Sequence, residues 1–154
     1  MWTVTRESPR SEQSLELIGR HRAYSAEHSV DPADDHVLDV SDLEADSVAF
    51  FGLRDPDGVL LAIGAVKRVS ADHAELKSMH TRVEARGSGI GREMLARLLD
   101  EARALGFTRI SLETGVQEGF AAARRLYERA GFAECPPFGD YVASPNSVFY
   151  TREL

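Results

Sequence analysis

The chain has 154 residues, of which 43% are hydrophobic and 28% are charged, and its formal net charge is −7 at pH 7. This length and balance predict one folded domain over residues 1–154 and exclude an intrinsically disordered chain. The acidic balance argues against a nucleic-acid partner, because nucleic-acid binding usually needs a basic face. It is compatible with a cationic substrate, although a self-repelling surface explains it more simply.

The chain shows no targeting or membrane segment. Its start, MWTVTRESPR, lacks the apolar run of a signal peptide, and the longest apolar stretch, residues 59–66, is far too short to span a bilayer. Cys135 is the only cysteine, so an internal disulfide is excluded. These features predict a cytoplasmic protein with no membrane partner.

The first half of the chain reads as a helix followed by strands. The predicted elements are a short strand over residues 2–6, a helix over 11–28, an acidic mobile loop with a short helix between 30 and 46, and strands over 48–54, 59–69 and 74–83. Asp55-Pro56-Asp57-Gly58 predicts a tight turn between two of these strands. In the strand over 74–83, strict alternation would place Leu76, Ser78 and His80 on one face and Glu75, Lys77 and Met79 on the other.

The second half alternates helices with strands. An apolar stripe beginning at Ile90 predicts a helix that ends at Gly106, and a second helix is expected over residues 121–130, before Gly131. Strands are expected over 107–114 and 147–152. This order predicts an α+β, or mixed α/β, domain around one sheet.

The segment Arg86-Gly87-Ser88-Gly89-Ile90-Gly91 lies between a predicted strand and a predicted helix. Its glycines can adopt positive φ and let a ligand approach the backbone, and free N–H groups at a helix start bind anions. Arg86 adds a cation suited to phosphate. The segment therefore predicts a phosphate or pyrophosphate site, with a ligand-free glycine turn as the alternative.

Two other phosphate loops are excluded by particular residues. A Walker loop needs Lys and then Ser or Thr after its last glycine, whereas Arg92 and Glu93 follow Gly91. A dinucleotide fingerprint needs G-x-G-x-x-G, and this segment reads G-x-G-x-G.

The spacing Arg-x-x-Gly-x-Gly resembles the coenzyme A loop of the GNAT N-acetyltransferases. The preceding ELKSMHT resembles the fourth strand of that family, and ARRLYERAGF, over residues 123–132, resembles its last helix and turn. The resemblance implies a mostly antiparallel mixed sheet, flanked by helices, whose fourth and fifth strands splay apart. It also implies that acetyl-CoA is the cosubstrate.

The resemblance also implies a set of binding residues. The pantetheine arm would lie along the backbone of Met79, His80 and Thr81, and the pyrophosphate would lie on Arg86, Gly87, Ser88, Gly89, Ile90 and Gly91. Arg124 and Arg125 are candidates for the 3′-phosphate. One departure is Phe120, which stands where many members carry Asn, so Gln117 is a candidate to supply the missing amide contact.

The same resemblance assigns the proton transfers. Tyr127 matches the acid that protonates the leaving thiolate, although a core aromatic with a tied hydroxyl is the alternative. Glu75 is the first candidate for the base that deprotonates the amine, acting directly or through water, and Glu113 competes with it. Each carboxylate could instead be an ordinary solvated side chain.

These residues together predict transfer of acetyl from acetyl-CoA to a primary amine of a small molecule. A protein N-terminus or lysine as acceptor, and a non-catalytic acetyl-CoA-binding module, remain alternatives. The histidines show no metal-ligand spacing, so no metal is expected. Acidic residues between 31 and 39 hint at a cationic acceptor. The resemblance also makes a homodimer a candidate assembly, because the family often forms dimers, although the sequence leaves the oligomeric state open.

Overall fold

The computed structural model describes residues 1–154 as one seven-stranded sheet with four α-helices. The strands are β1 (Thr3–Arg6), β2 (Val48–Arg54), β3 (Leu60–Arg68), β4 (His73–Thr81), β5 (Arg109–Gly115), β6 (Ala133–Cys135) and β7 (Ser147–Glu153). The helices are α1 (Glu12–His28), α2 (Val40–Leu43), α3 (Ile90–Ala104) and α4 (Ala121–Arg129). The predicted mixed α/β class is confirmed, and only the short strand β6 was not predicted.

The order of strands across the sheet is β1-β2-β3-β4-β5-β7-β6. Every neighbouring pair is antiparallel except β4 and β5, which are parallel. These two strands pair only between residues 73–75 and 109–111, and beyond that point no ladder joins them. The predicted mostly antiparallel sheet with splayed fourth and fifth strands is confirmed.

Each face of the sheet carries its own hydrophobic core. The stripe that predicted α3 packs on one face, where Met94, Leu98 and Tyr127 join Leu76 and Leu112 of the sheet. A smaller core forms on the other face from residues of α1, α2, β2 and β3, which include Leu17, Leu43, Phe50 and Ile63. The two cores place α1 and α2 on one side of the sheet and α3 and α4 on the other. No helix of the protein has both the length and the apolar character that a membrane span needs.

Strand β4 contains a β-bulge at Ser78 and Met79. Lys77 pairs with Ala65 and His80 pairs with Ile63, so Ser78 and Met79 share a single opposing position on β3. Ser78 has a φ of 55°, which is rare for a residue other than glycine. The bulge is local backbone strain next to the point where β4 and β5 separate, a place where such strain is often functional.

The bulge makes the predicted alternation of β4 wrong beyond Lys77. His80 faces α1, where its ring lies 5.3 Å from that of His21. Thr81 faces the opposite side, and its Oγ1 would lie 3.4 Å from a Cβ placed on Gly91 of α3. One inserted residue moves every later side chain to the opposite face of the strand. Lys77 and His80 therefore lie on the same face of β4, whereas simple alternation places them on opposite faces.

Candidate active site

A cavity of about 330 Å³ lies where β4 and β5 separate. Its floor is formed by residues 76–81 of β4 and 112–115 of β5. Residues of α1, α3 and α4, and of the loops around residues 34–37 and 86–91, complete its walls. The facing strand edges are not paired with each other, so an extended chain can lie between them and take up their main-chain hydrogen bonds.

The segment before α3 has the geometry of an anion site. Gly87 and Gly89 have φ of 85° and 83°, and Gly89 is the residue that caps the start of α3. No backbone N–H from Gly87 through Arg92 donates a hydrogen bond within the protein. A row of free N–H groups at the positive end of a helix dipole binds phosphate well, so the structure supplies the donors that the sequence suggested.

Most of the predicted site residues line this cavity. Those that do are Met79, His80, Thr81, Arg86, Gly87, Gly89, Ile90, Gly91 and Tyr127. Two predicted residues do not: Ser88, whose hydroxyl donates to the carbonyl of Ala85 at 2.7 Å, and Glu75. The Arg86 side chain is exposed and lies over the ring of Tyr24, at 5.5 Å from its centroid.

Tyr127 is a buried side chain whose hydroxyl opens into the cavity. Its ring packs edge-on against Phe132 at 5.9 Å, and its hydroxyl makes no hydrogen bond with the protein. Burial, with the charge of Glu113 in addition, raises the pKa of Tyr127 to about 12. The phenol is therefore protonated at neutral pH and is not tied to the backbone.

The two candidate carboxylates have different surroundings. Glu113 lines the cavity, and burial raises its pKa, although one of its oxygens accepts a hydrogen bond from Ser147 at 2.8 Å. Glu75 is only 4% exposed, and its carboxylate accepts a hydrogen bond from Tyr141 at 2.5 Å. Glu113 can therefore meet a ligand directly, whereas Glu75 is engaged by other side chains.

Lys77 joins two loops to β4. Its ammonium donates to the carbonyl of His36 and to the hydroxyl of Tyr141, both at 2.9 Å, and lies 3.5 Å from Glu75. This cluster holds the loop after α1 and the loop before β7 over the cavity. This cluster was not predicted from the sequence, where its only sign is a lysine at an inward position of a buried strand.

The acidic loop does not present free carboxylates to the cavity. Asp34 accepts from Ser144 at 2.9 Å and Asn146 at 3.0 Å, and these bonds hold its pKa below the ordinary value. Asp35 accepts from Ser25 at 2.7 Å. Because both carboxylates hold the loop in place, the hint of a cationic acceptor in this segment loses its main support.

The segment between β5 and α4 has Phe120 at the position where many family members carry Asn, and other contacts stabilise it. Phe120 packs edge-on against Tyr24 at 6.2 Å, and the Tyr24 hydroxyl donates to the carbonyl of Gly119 at 2.5 Å. Arg124 donates to the carbonyls of Gly115 at 2.7 Å and Gln117 at 3.0 Å. Arg124 is therefore occupied by the protein's own backbone, which leaves Arg125 as the freer of the two candidates for a phosphate.

Comparison with known proteins agrees with this site. Residues 15–132 match the model of the acetyltransferase (GNAT) family. The matched range includes both the glycine loop before α3 and the helix of Tyr127. The chain belongs to the GNAT acetyltransferase family and is an acetyltransferase. Members of this family use acetyl-CoA, and the free N–H groups before α3 and the unpaired strand edges fit that molecule.

Several relatives extend over nearly the whole chain. The uncharacterised N-acetyltransferase YsnE of Bacillus subtilis is 36% identical over 92% of this chain and 93% of its own length. The IAA acetyltransferase of Azospirillum brasilense is 36% identical over 99% and 97%. A Klebsiella pneumoniae structure, assigned as an acyl-CoA N-acyltransferase, superposes with a TM-score of 0.85 at 28% identity and covers 100% of this chain and 98% of its own.

Proposed function

We propose that the protein transfers the acetyl group of acetyl-CoA to a primary amine of a small molecule, by direct attack of the amine in a ternary complex. One observation carries the proposal: a single cavity joins the phosphate-binding start of α3 to the free hydroxyl of Tyr127. One end of the cavity suits the pyrophosphate, and the other end suits proton transfer to the leaving sulfur. Residues of α1 and of the loop around residues 34–37 also wall the cavity, and a cleft walled in this way suits a small acceptor better than a protein surface.

The cosubstrate would be held mainly by backbone groups. The pantetheine arm would add to the free edge of β4 at Met79, His80 and Thr81, and the pyrophosphate would bind the N–H groups from Gly87 onward. A bulge leaves its extra residue unpaired, so the one at Ser78 and Met79 would leave a backbone N–H able to hydrogen-bond the thioester carbonyl. Such a donor stabilises the oxyanion that forms when the amine attacks.

Two side chains would move the protons. Glu113 takes a proton from the amine as the new C–N bond forms, and Tyr127 gives its proton to the sulfur as the C–S bond breaks. Their surroundings suit these roles, because burial keeps the phenol protonated and raises the pKa of the carboxylate towards that of a useful base. Glu75, the first candidate from the sequence, would support the site by holding Lys77 and Tyr141.

Release of free thiol from acetyl-CoA is the direct test of this function. We expect turnover with at least one primary amine in a panel of small amines, and none with peptides that carry a free N-terminus or lysine. Faster turnover with peptides would make the protein a protein acetyltransferase. Binding of acetyl-CoA without turnover of any acceptor would make it a non-catalytic module.

Replacing each carboxylate by its amide should separate their roles. Glu113→Gln should lower kcat by roughly 10²- to 10⁴-fold, the usual contribution of a positioned base. In the parent enzyme, kcat should fall as pH drops through the pKa of Glu113, which lies above the ordinary glutamate value, and this acid limb should be absent in the variant.

Glu75→Gln is the matched comparison, because its amide oxygen can still accept from Tyr141. We expect it to retain most of the parental kcat and the acid limb. A loss of the limb in Glu75→Gln, with Glu113→Gln unaffected, would assign the base to Glu75. Both profiles are measured by thiol release with saturating amine.

Assembly and location stay predictions. The resemblance makes a homodimer a candidate and the sequence predicts a cytoplasmic location, and sedimentation analysis and cell fractionation test them directly.

A further inference from the structure

Two histidines inside the cavity form a pair. The proposed mechanism gives this pair no role. His21 of α1 and His80 of β4 lie edge to face with ring centroids 5.3 Å apart. Both side chains line the cavity, and His80 is only 8% exposed. The pair exists because the β4 bulge turns His80 towards α1.

The ring nitrogens of this pair have unused hydrogen-bonding capacity. No side-chain hydrogen bond to the protein involves either imidazole, in contrast to His73, whose Nε2 lies 2.7 Å from the Ser111 hydroxyl. Among the side-chain nitrogen and oxygen atoms, only the Ser78 hydroxyl oxygen is both inaccessible to solvent and without a hydrogen-bond partner. The unpaired imidazole nitrogens are therefore accessible, and the cavity that both rings line is where a ligand reaches them. Buried polar groups usually find a partner, and here a ligand would be that partner.

Besides burial, the charged side chains that lower the pKa values of the pair are the cations Lys77, Arg86 and Arg20, of which Lys77 also contacts Glu75 and Arg20 also pairs with Glu16 and Glu84. Burial, with Lys77 in addition, lowers the pKa of His21 to about 4. Burial, His21, Arg86 and Arg20 lower the pKa of His80 to about 3. Burial opposes a charge of either sign, but the nearby cations favour a bound anion over a bound cation.

The pair lies on the face of the sheet opposite to Tyr127. Leu112 packs in the core that contains Tyr127, so its neighbour Glu113 points to the other face, as Lys77 and His80 do. An amine that reaches the thioester from this face meets Glu113, while Tyr127 approaches the sulfur from the other face. His21 and His80 therefore border the space for the acceptor.

We propose that His21 and His80 bind a carboxylate of the acceptor, so that the substrates are amines that also carry a carboxylate, such as amino acids. The proposal rests on the proposed function, since it names the class of acceptor at the same site. The amine would lie at Glu113 and the carboxylate at the two imidazoles. Each neutral imidazole can donate one N–H to the carboxylate, and a bound carboxylate would stabilise the protonated imidazole and so raise the pKa of the pair.

Matched acceptors test the proposal. Each amino acid is compared with its carboxamide and with the amine that lacks the carboxylate altogether, by thiol release at saturating acetyl-CoA. Loss of a charge-assisted hydrogen bond should lower kcat/KM by about 10- to 100-fold for both analogues. Equal kcat/KM values for the acid and its analogues would overturn the proposal while leaving the proposed function intact.

Variants of α1 identify the residue responsible. His21→Phe should raise KM for the carboxylate acceptor by about 10-fold or more and should leave KM for acetyl-CoA within about two-fold. It should also reduce the preference for the acid over its amide, which a purely structural defect would not do. Glu27→Gln, on the exposed surface of the same helix, is the control and should keep that preference. An unchanged preference in His21→Phe would contradict the assignment.

Nuclear magnetic resonance of the imidazole C–H groups tests binding without turnover. Addition of an amino acid to the coenzyme A complex should raise the pKa of at least one of the two histidines by one unit or more, whereas its amide should not. If no amine is acetylated but this shift occurs, the carboxylate site stands and the proposed function fails. If neither pKa moves while the amino acid is acetylated, the histidine pair is not the carboxylate site.

Discussion

Tyr127→Phe should lower kcat by roughly 10²- to 10⁴-fold while the protein keeps its fold and its affinity for acetyl-CoA. The substitution keeps the ring that packs against Phe132 and removes only a hydroxyl that has no partner in the protein. Affinity should stay within a few-fold, because backbone groups supply most of the proposed contacts. Thiol release measures kcat, and titration with coenzyme A measures affinity.

Tyr150→Phe is the matched control for this variant. Tyr150 is a buried tyrosine of the same core and lies outside the cavity, so its loss should leave kcat near the parental value. The pKa of about 12 for Tyr127 also predicts that the parental kcat does not fall in the mildly alkaline range, because the phenol keeps its proton there. A Tyr127→Phe enzyme with near-parental kcat would leave water as the proton source.

Gly89→Glu should abolish binding of acetyl-CoA. Gly89 has a φ of 83° at the start of α3, and a Cβ there would meet no protein atom within 4 Å, so a side chain fits sterically. The new carboxylate would occupy the space in front of the free N–H groups and repel the pyrophosphate. Calorimetry with coenzyme A should detect no binding at concentrations that saturate the parent.

Gly58→Glu controls for backbone strain in this experiment. Gly58 has the same φ of 83° and equally open space, but it lies in the turn between β2 and β3, away from the cavity. Both variants should lose a similar amount of stability, about 1–2 kcal/mol for a side chain in the left-handed region. Only Gly89→Glu should lose binding, and equal thermal stabilisation of both variants by coenzyme A would contradict the pyrophosphate site.

The fold and the glycine loop that lines the cavity could be predicted from the sequence because local signals specify them. The glycines before α3 carry the phosphate loop, the apolar stripe after Ile90 specifies the helix that supplies the dipole, and the segment around Tyr127 marks the last helix. Each of these signals depends on residues close together in the chain. Short-range backbone preferences and periodicity are sufficient to detect them.

The acceptor side was decided by the tertiary structure. The bulge that turns His80 towards His21 depends on how β4 pairs with β3, and the choice between Glu75 and Glu113 depends on Tyr141, which is distant in sequence from both. The acidic loop would favour a cationic acceptor if its carboxylates were free, but Asp34 and Asp35 accept hydrogen bonds from Ser25, Ser144 and Asn146. By itself the sequence determined which elements form and which loop is the candidate for phosphate binding, because those depend on neighbouring residues. Only the packing of distant segments decided which side chains line the cavity, because burial and hydrogen-bond partners are properties of the folded chain.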